Sequence, residues 1–157
     1  MKLLKQTEHS LTFLIGQRER DLLVALLLRY PVLSSGHFRK RHPAESKEAR
    51  VDDELLRDAL LDQQKESRRH LEAWLKTEGR FRETERGHTF ELTPAEIEWM
   101  LQVLNDIRVG SWVALGEPDG KSARPFEITE ETAQLAWALE MAGLFQHHLL
   151  QAAQAGE

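Results

Sequence analysis

The sequence predicts a mainly α protein, a helical bundle of about four helices with a small antiparallel β-sheet at one end. Three observations carry this expectation. Apolar residues recur at the helical period in four segments. Short stretches at the N-terminus and just before Thr93 carry β-branched and aromatic residues at strand spacing. The segment from Thr93 to Gly116 has helix signals at both ends. With 157 residues, 41% hydrophobic and 30% charged, the chain fits one core-bearing domain over 1–157 that opens on a β-hairpin.

Taken in order, Lys2 to Gln6 and Leu11 to Ile15 read as two strands around the polar turn Thr7-Glu8-His9-Ser10. Asp21 to Tyr30 reads as a helix with leucines on every side, which predicts a core element that Pro31 ends. From Asp52 to about Thr77 the period predicts a long amphipathic helix. Leu56, Leu60, Gln63, Ser67, Leu71 and Trp74 share its inner stripe, and packing is weak or wet where Gln63 and Ser67 interrupt it. Glu85-Arg86-Gly87 then signals a turn, and His88 to Leu92 a strand able to pair with the N-terminal hairpin.

The best-signalled helix follows. Thr93 suits the N-cap, Pro94 the first helical position and Glu96 the third position of a capping box, while Gly116 suits a left-handed C-cap. Glu117-Pro118-Asp119-Gly120-Lys121 is a turn signal. Thr129 then caps a last helix whose apolar face is Leu135, Ala138, Leu139, Ala142, Phe145, Leu149 and Ala153.

Composition excludes several functional classes. The absence of cysteine removes a disulfide scaffold, a thiolate metal site and a cysteine nucleophile, and fits a cytoplasmic protein. A net charge of −5 argues against broad attraction to nucleic acid or anionic lipid. No apolar run approaches the roughly 18 residues of a membrane span, and the first residues lack a signal-peptide block. Nucleophile-elbow, phosphate-loop and dinucleotide-binding motifs are absent, so no catalytic residue and no cofactor is assigned. His147 and His148 are adjacent and point about 100° apart on a helix, so they do not form a metal pair.

Two charges on the central helix need an explanation. Projected at 100° per residue from Ile97, the apolar residues Leu101, Leu104, Leu115, Met100, Ile107 and Trp112 surround Arg108, while Asp106 points the opposite way, between Trp99 and Val113. On the last helix Glu140, His147 and Gln151 form a narrow polar stripe. Glu140 is therefore a candidate partner for Arg108. Asn105, Asp106, Arg108, Glu140 and His147 are the candidate polar core or pocket. A second candidate is the basic run His37-Phe38-Arg39-Lys40-Arg41-His42-Pro43, where Arg39, Lys40 and Arg41 would contact phosphate. A solvated loop is the alternative reading of that run.

Phe90-Glu91-Leu92-Thr93, Trp99 and Leu104-Asn105-Asp106-Ile107-Arg108, followed by the segment from Trp137-Ala138-Leu139-Glu140 to Leu150, resemble a bacterial, mostly actinobacterial, family of unknown function. The likeness covers the C-terminal half well and the first half only in layout, and Arg39 to Arg50 and the long helix after it have no clear counterpart. The resemblance implies an Asn-Asp-(aliphatic)-Arg helix signature at Asn105, Asp106 and Arg108, without a catalytic role for any of them. Genes of that family often lie beside a Clp protease adaptor and a metallopeptidase, which implies a link to protein turnover.

The leading expectation is a cytosolic, non-enzymatic interaction or regulatory protein with a protein partner, self or other. The alternative is a small-anion or metabolite binder, or an enzyme, using a polar pocket around Arg108 and Glu140. Membrane is not an expected partner, and nucleic acid ranks below both readings.

Overall fold

The computed structural model describes residues 1–33, 47–117 and 127–154. Its elements are β1 (Lys2–Gln6), β2 (Leu11–Ile15), α1 (Gln17–Leu27), α2 (Lys47–Lys76), β3 (Arg82–Thr84), β4 (Gly87–Leu92), α3 (Pro94–Ala114) and α4 (Glu130–Gln154). The fold is mainly α with a small four-stranded sheet, as the sequence predicts.

The sheet order is β1-β2-β4-β3, antiparallel throughout. The two hairpins join through their inner strands, with Leu11 opposite Leu92, Phe13 opposite Phe90 and Ile15 opposite His88. Period-two alternation puts these side chains on one face, and all six are buried. Phe13 and Phe90 stack with centroids 5.3 Å apart. Gly87 opens β4 at φ +132°, where a Cβ would stand 2.5 Å from the Ile15 carbonyl oxygen, so a side chain has no room there.

The capping box of α3 forms: Thr93 Oγ1 accepts from the Glu96 amide at 3.2 Å, and the Glu96 carboxylate accepts from the Thr93 amide at 2.8 Å. Gly116 takes φ +85° after the last turn. α3 packs most extensively on α4. Ile97, Met100, Leu104 and Ile107 of α3 share one buried cluster with Ala138, Ala142, Phe145 and Leu149 of α4. Ala138 and Ala142 are fully buried small residues, which suits close approach of the two helices. One core draws on the sheet and on all four helices.

Two helices depart from expectation. α1 starts and ends earlier than Asp21 to Tyr30, beginning behind Gly16. Only Leu23, Leu26 and Leu27 of α1 are buried, while Leu22 and Leu28 face solvent. β4, α3 and α4 are the described elements that α1 packs on, and among the described residues none covers Leu22 and Leu28 fully. In α2 the expected stripe is buried only at Leu71 and Trp74; Leu56 is 61% exposed. Trp74 is clamped by Phe81 at 5.8 Å and Phe90 at 6.5 Å, and the Arg80 guanidinium lies 4.8 Å over its ring. One turn earlier His70 stacks on Trp99 of α3 at 4.2 Å. Toward its N-terminus α2 leaves the core, at the point where Gln63 and Ser67 interrupt the apolar stripe.

Candidate functional site: a cleft between α1, α2 and α3

The separation of α2 from α3 opens a cleft of ≈ 300 Å³. Tyr30 to Leu33, the segment leaving α1, forms one wall. Leu60, Gln63 and Gln64 of α2 form the second, and Asn105, Asp106, Val109 and Gly110 of α3 the third. Gly110 permits this geometry, because a Cβ there would come within 3.1 Å of Val32 Cβ and 3.6 Å of Leu33. The Gln64 side chain ties the α2 wall to the first by donating to the Leu33 carbonyl at 3.3 Å.

Asp106 is the charged residue of the described lining. It keeps an exposed edge, yet burial raises its pKa from the ordinary aspartate value, and the hydrogen bond from the Tyr30 hydroxyl lowers it in part. Tyr30 is itself raised, first by burial and then by the Asp106 charge, while a hydrogen bond with Ser67 acts the other way. Tyr30 thus links Asp106 of α3 to Ser67 of α2. Among the described residues no Lys, Arg or His pairs with Asp106. Walls of Pro31, Val32, Leu33, Leu60 and Val109 make the rest of the cleft largely apolar.

The residues singled out from the sequence do not form one pocket. Asn105 and Asp106 line the cleft. Arg108 lies on another flank of α3, in a small hollow with Val109, Trp112 and Leu139. Arg108, Glu140 and His147 are exposed, and no Arg108–Glu140 ion pair forms within 4.0 Å. This corrects the expected buried pair. Under Arg108 the neighbour on α4 is Gly143, whose added Cβ would be 3.9 Å from Arg108 Cδ, so the aliphatic stem crosses a low point and carries the guanidinium into solvent. The polar core expected from Asn105, Asp106, Arg108, Glu140 and His147 is likewise absent: all five are exposed at residue level. His147 and His148 stand ring-to-ring at 6.3 Å and 72°. Among the described residues no group of three or more His, Asp or Glu is placed to hold a metal. Arg39, Lys40 and Arg41 lie outside the described residues.

Three polar contacts escaped the sequence reading. Arg20 Nη1 lies 2.9 Å from Nε2 of His88, which is only 8% exposed and so lies within the sheet's inner face. The Met1 ammonium pairs with Glu19. His148 beside them is lowered, first by burial and then by that ammonium. The third is Tyr30 against Asp106; no spacing rule joins residues so far apart in sequence.

No known protein family, no curated protein and no solved structure matches this chain.

Proposed function

We propose that the protein is a cytoplasmic, non-enzymatic interaction or regulatory protein whose recognition site is the α1–α2–α3 cleft. The observation that supports this is the cleft's make-up: apolar walls, three amide side chains and one carboxylate, without a nucleophile–base pair among the described lining residues. Apolar surface continues outside it. Val109 on the rim is 40% exposed, and Leu56, one turn from the lining residue Leu60, is 61% exposed. Such contiguous apolar surface beside polar groups is what partner-binding sites present.

The resemblance of Asn105-Asp106-Ile107-Arg108 to the actinobacterial signature adds a bacterial setting and a link to protein turnover, and two of the signature's residues line the cleft. A protein partner, another copy or a different chain, is the occupant this reading favours. A small-anion binder around Arg108 and Glu140 is not favoured, because those two side chains do not converge and the described cleft lining holds no cation.

Cross-linked capture from bacterial lysate tests the reading by comparing the native chain with Val109→Arg and Leu56→Arg. A partner retained by the native chain and lost from both variants is the expected result. A partner set identical across all three, or capture of nothing, overturns it.

A further inference from the structure

We infer that the cleft takes an organic cation, an alkylammonium or alkylguanidinium group on an apolar stem, with its head on Asp106 and its stem along Val32, Leu60 and Val109. This rests on the reading of the cleft as the recognition site and names the chemistry of what enters it.

The geometry decides between ligand classes. A carboxylate has about four lone-pair positions, Asp106 lines the cleft, and among the described residues Tyr30 is the donor it meets, which leaves acceptor capacity for a ligand. An anion finds no cationic side chain among the described lining residues. A hard metal ion asks for several oxygen ligands, commonly more than one carboxylate, and the described lining residues include one carboxylate, Asp106. At ≈ 300 Å³ the cleft lies at the small end of ligand sites, which suits a group the size of a side chain better than a cofactor or nucleotide. An organic cation uses what is present. Its charge compensates a carboxylate that has no described cationic partner, the side-chain carbonyls of Asn105 and Gln63 accept its remaining N–H groups, and its methylenes cover leucine and valine. Burial acting against the ionised form of Asp106 agrees with this, because a bound cation removes that penalty.

The same chemistry has two sources, a lysine or arginine side chain on a partner protein and a free alkylamine. Amide NMR titration of the full chain separates them. The probes are Nα-acetyl-lysine methylamide, Nα-acetyl-arginine methylamide, putrescine, and the neutral Nα-acetyl-norleucine methylamide. The expected result is saturable shifts at Asn105, Asp106, Val109 and Gly110 with the cations, weakened at least about tenfold for norleucine and for Asp106→Asn. A second variant, Val109→Lys, sets an internal cation at the rim and is expected to weaken the cationic probes as well. Preference for the blocked amino acids assigns a partner's side chain, and preference for putrescine a free amine. Norleucine binding as tightly as lysine, with Asp106→Asn unchanged, overturns the cation while leaving the cleft as a site. Absence of cleft shifts with every probe overturns the inference, and the capture experiment then judges the broader reading separately.

Discussion

Replacing Gly110 by alanine tests the architecture of the cleft through the sign of a stability change. In an ordinary helix interior, glycine to alanine is worth about 0.5–1 kcal/mol of stabilisation, from backbone entropy. Gly110 is not in an ordinary place. A Cβ there stands 3.1 Å from Val32 Cβ and 3.6 Å from the Leu33 backbone nitrogen. That wall is held: Leu33 is 8% exposed, and the Gln64 side chain bonds its carbonyl at 3.3 Å. Forcing a methyl into a fixed, filled contact costs about 1–3 kcal/mol. Subtracting the helix gain leaves a net loss of about 1 kcal/mol.

Gly143 of α4 provides the internal control. Its added Cβ meets only Arg108 Cδ, at 3.9 Å, an ordinary contact with the stem of a flexible side chain. Gly143→Ala is therefore expected to stabilise by about 0.5–1 kcal/mol. The two variants should bracket the native chain, separated by about 2 kcal/mol. For a domain of this size that corresponds to a spread of several degrees in Tm, at about 2–4 °C per kcal/mol. Urea unfolding followed by tryptophan fluorescence, with m values compared, reads the difference directly. Gly110→Ala as stable as Gly143→Ala would refute the close approach of Val32–Leu33 to α3, and with it the walls of the cleft.

Other perturbations probe the remaining parts. Asp106→Asn keeps the acceptor for Tyr30 and removes a charge that burial disfavours. Because the folded pKa lies above the unfolded value of about 3.9, Asp106 leaves stability intact at lower pH and costs stability as pH rises through its folded pKa. The asparagine variant is thus expected to be more stable than the native chain at pH 7, the gain shrinking toward zero in acid; unfolding curves at pH 7 and pH 4 measure it, and a gain that grows in acid contradicts the assignment. Arg108→Met is expected to change stability by less than about 0.5 kcal/mol, as for an exposed side chain with no ion-pair partner among the described residues, and a loss of several kcal/mol by denaturant titration would restore a register-fixing role. Trp74→Ala, at a residue 2% exposed amid Phe81, Phe90 and Arg80, should cost about 3–5 kcal/mol and detach the end of α2 from the sheet, which amide exchange in β4 would report. Thr93→Ala removes an acceptor from the α3 capping box and should cost about 1 kcal/mol by the same unfolding assay.

Much of the scaffold was legible in the sequence because its signals are local. Thr93, Pro94, Glu96 and Gly116 act within a turn of where they stand, so the ends of α3 could be read directly. Alternation in Leu11 to Ile15 and in His88 to Leu92 reports a strand's two faces whatever lies across them, which is why the inner sheet residues were foreseeable. Helical projection also separated Asp106 from Arg108 correctly, since that depends only on the period of one helix. The weak middle of the α2 stripe, Gln63 and Ser67, marked the place where the cleft opens.

What surrounds each face was decided by tertiary structure alone. Projection centred the buried side of α3 on Ile97 and placed Arg108 within it. The buried set reaches instead through Val103, Gly110 and Ser111, because Val32 and Leu33 press on that flank, while Arg108 crosses α4 at Gly143 beside a hollow it shares with Leu139. Burial is a property of pairs of surfaces, and one helix's periodicity holds half of that information. The same reason hid the partner of Asp106. Its carboxylate is answered by Tyr30, which only the folded chain brings across from the end of α1.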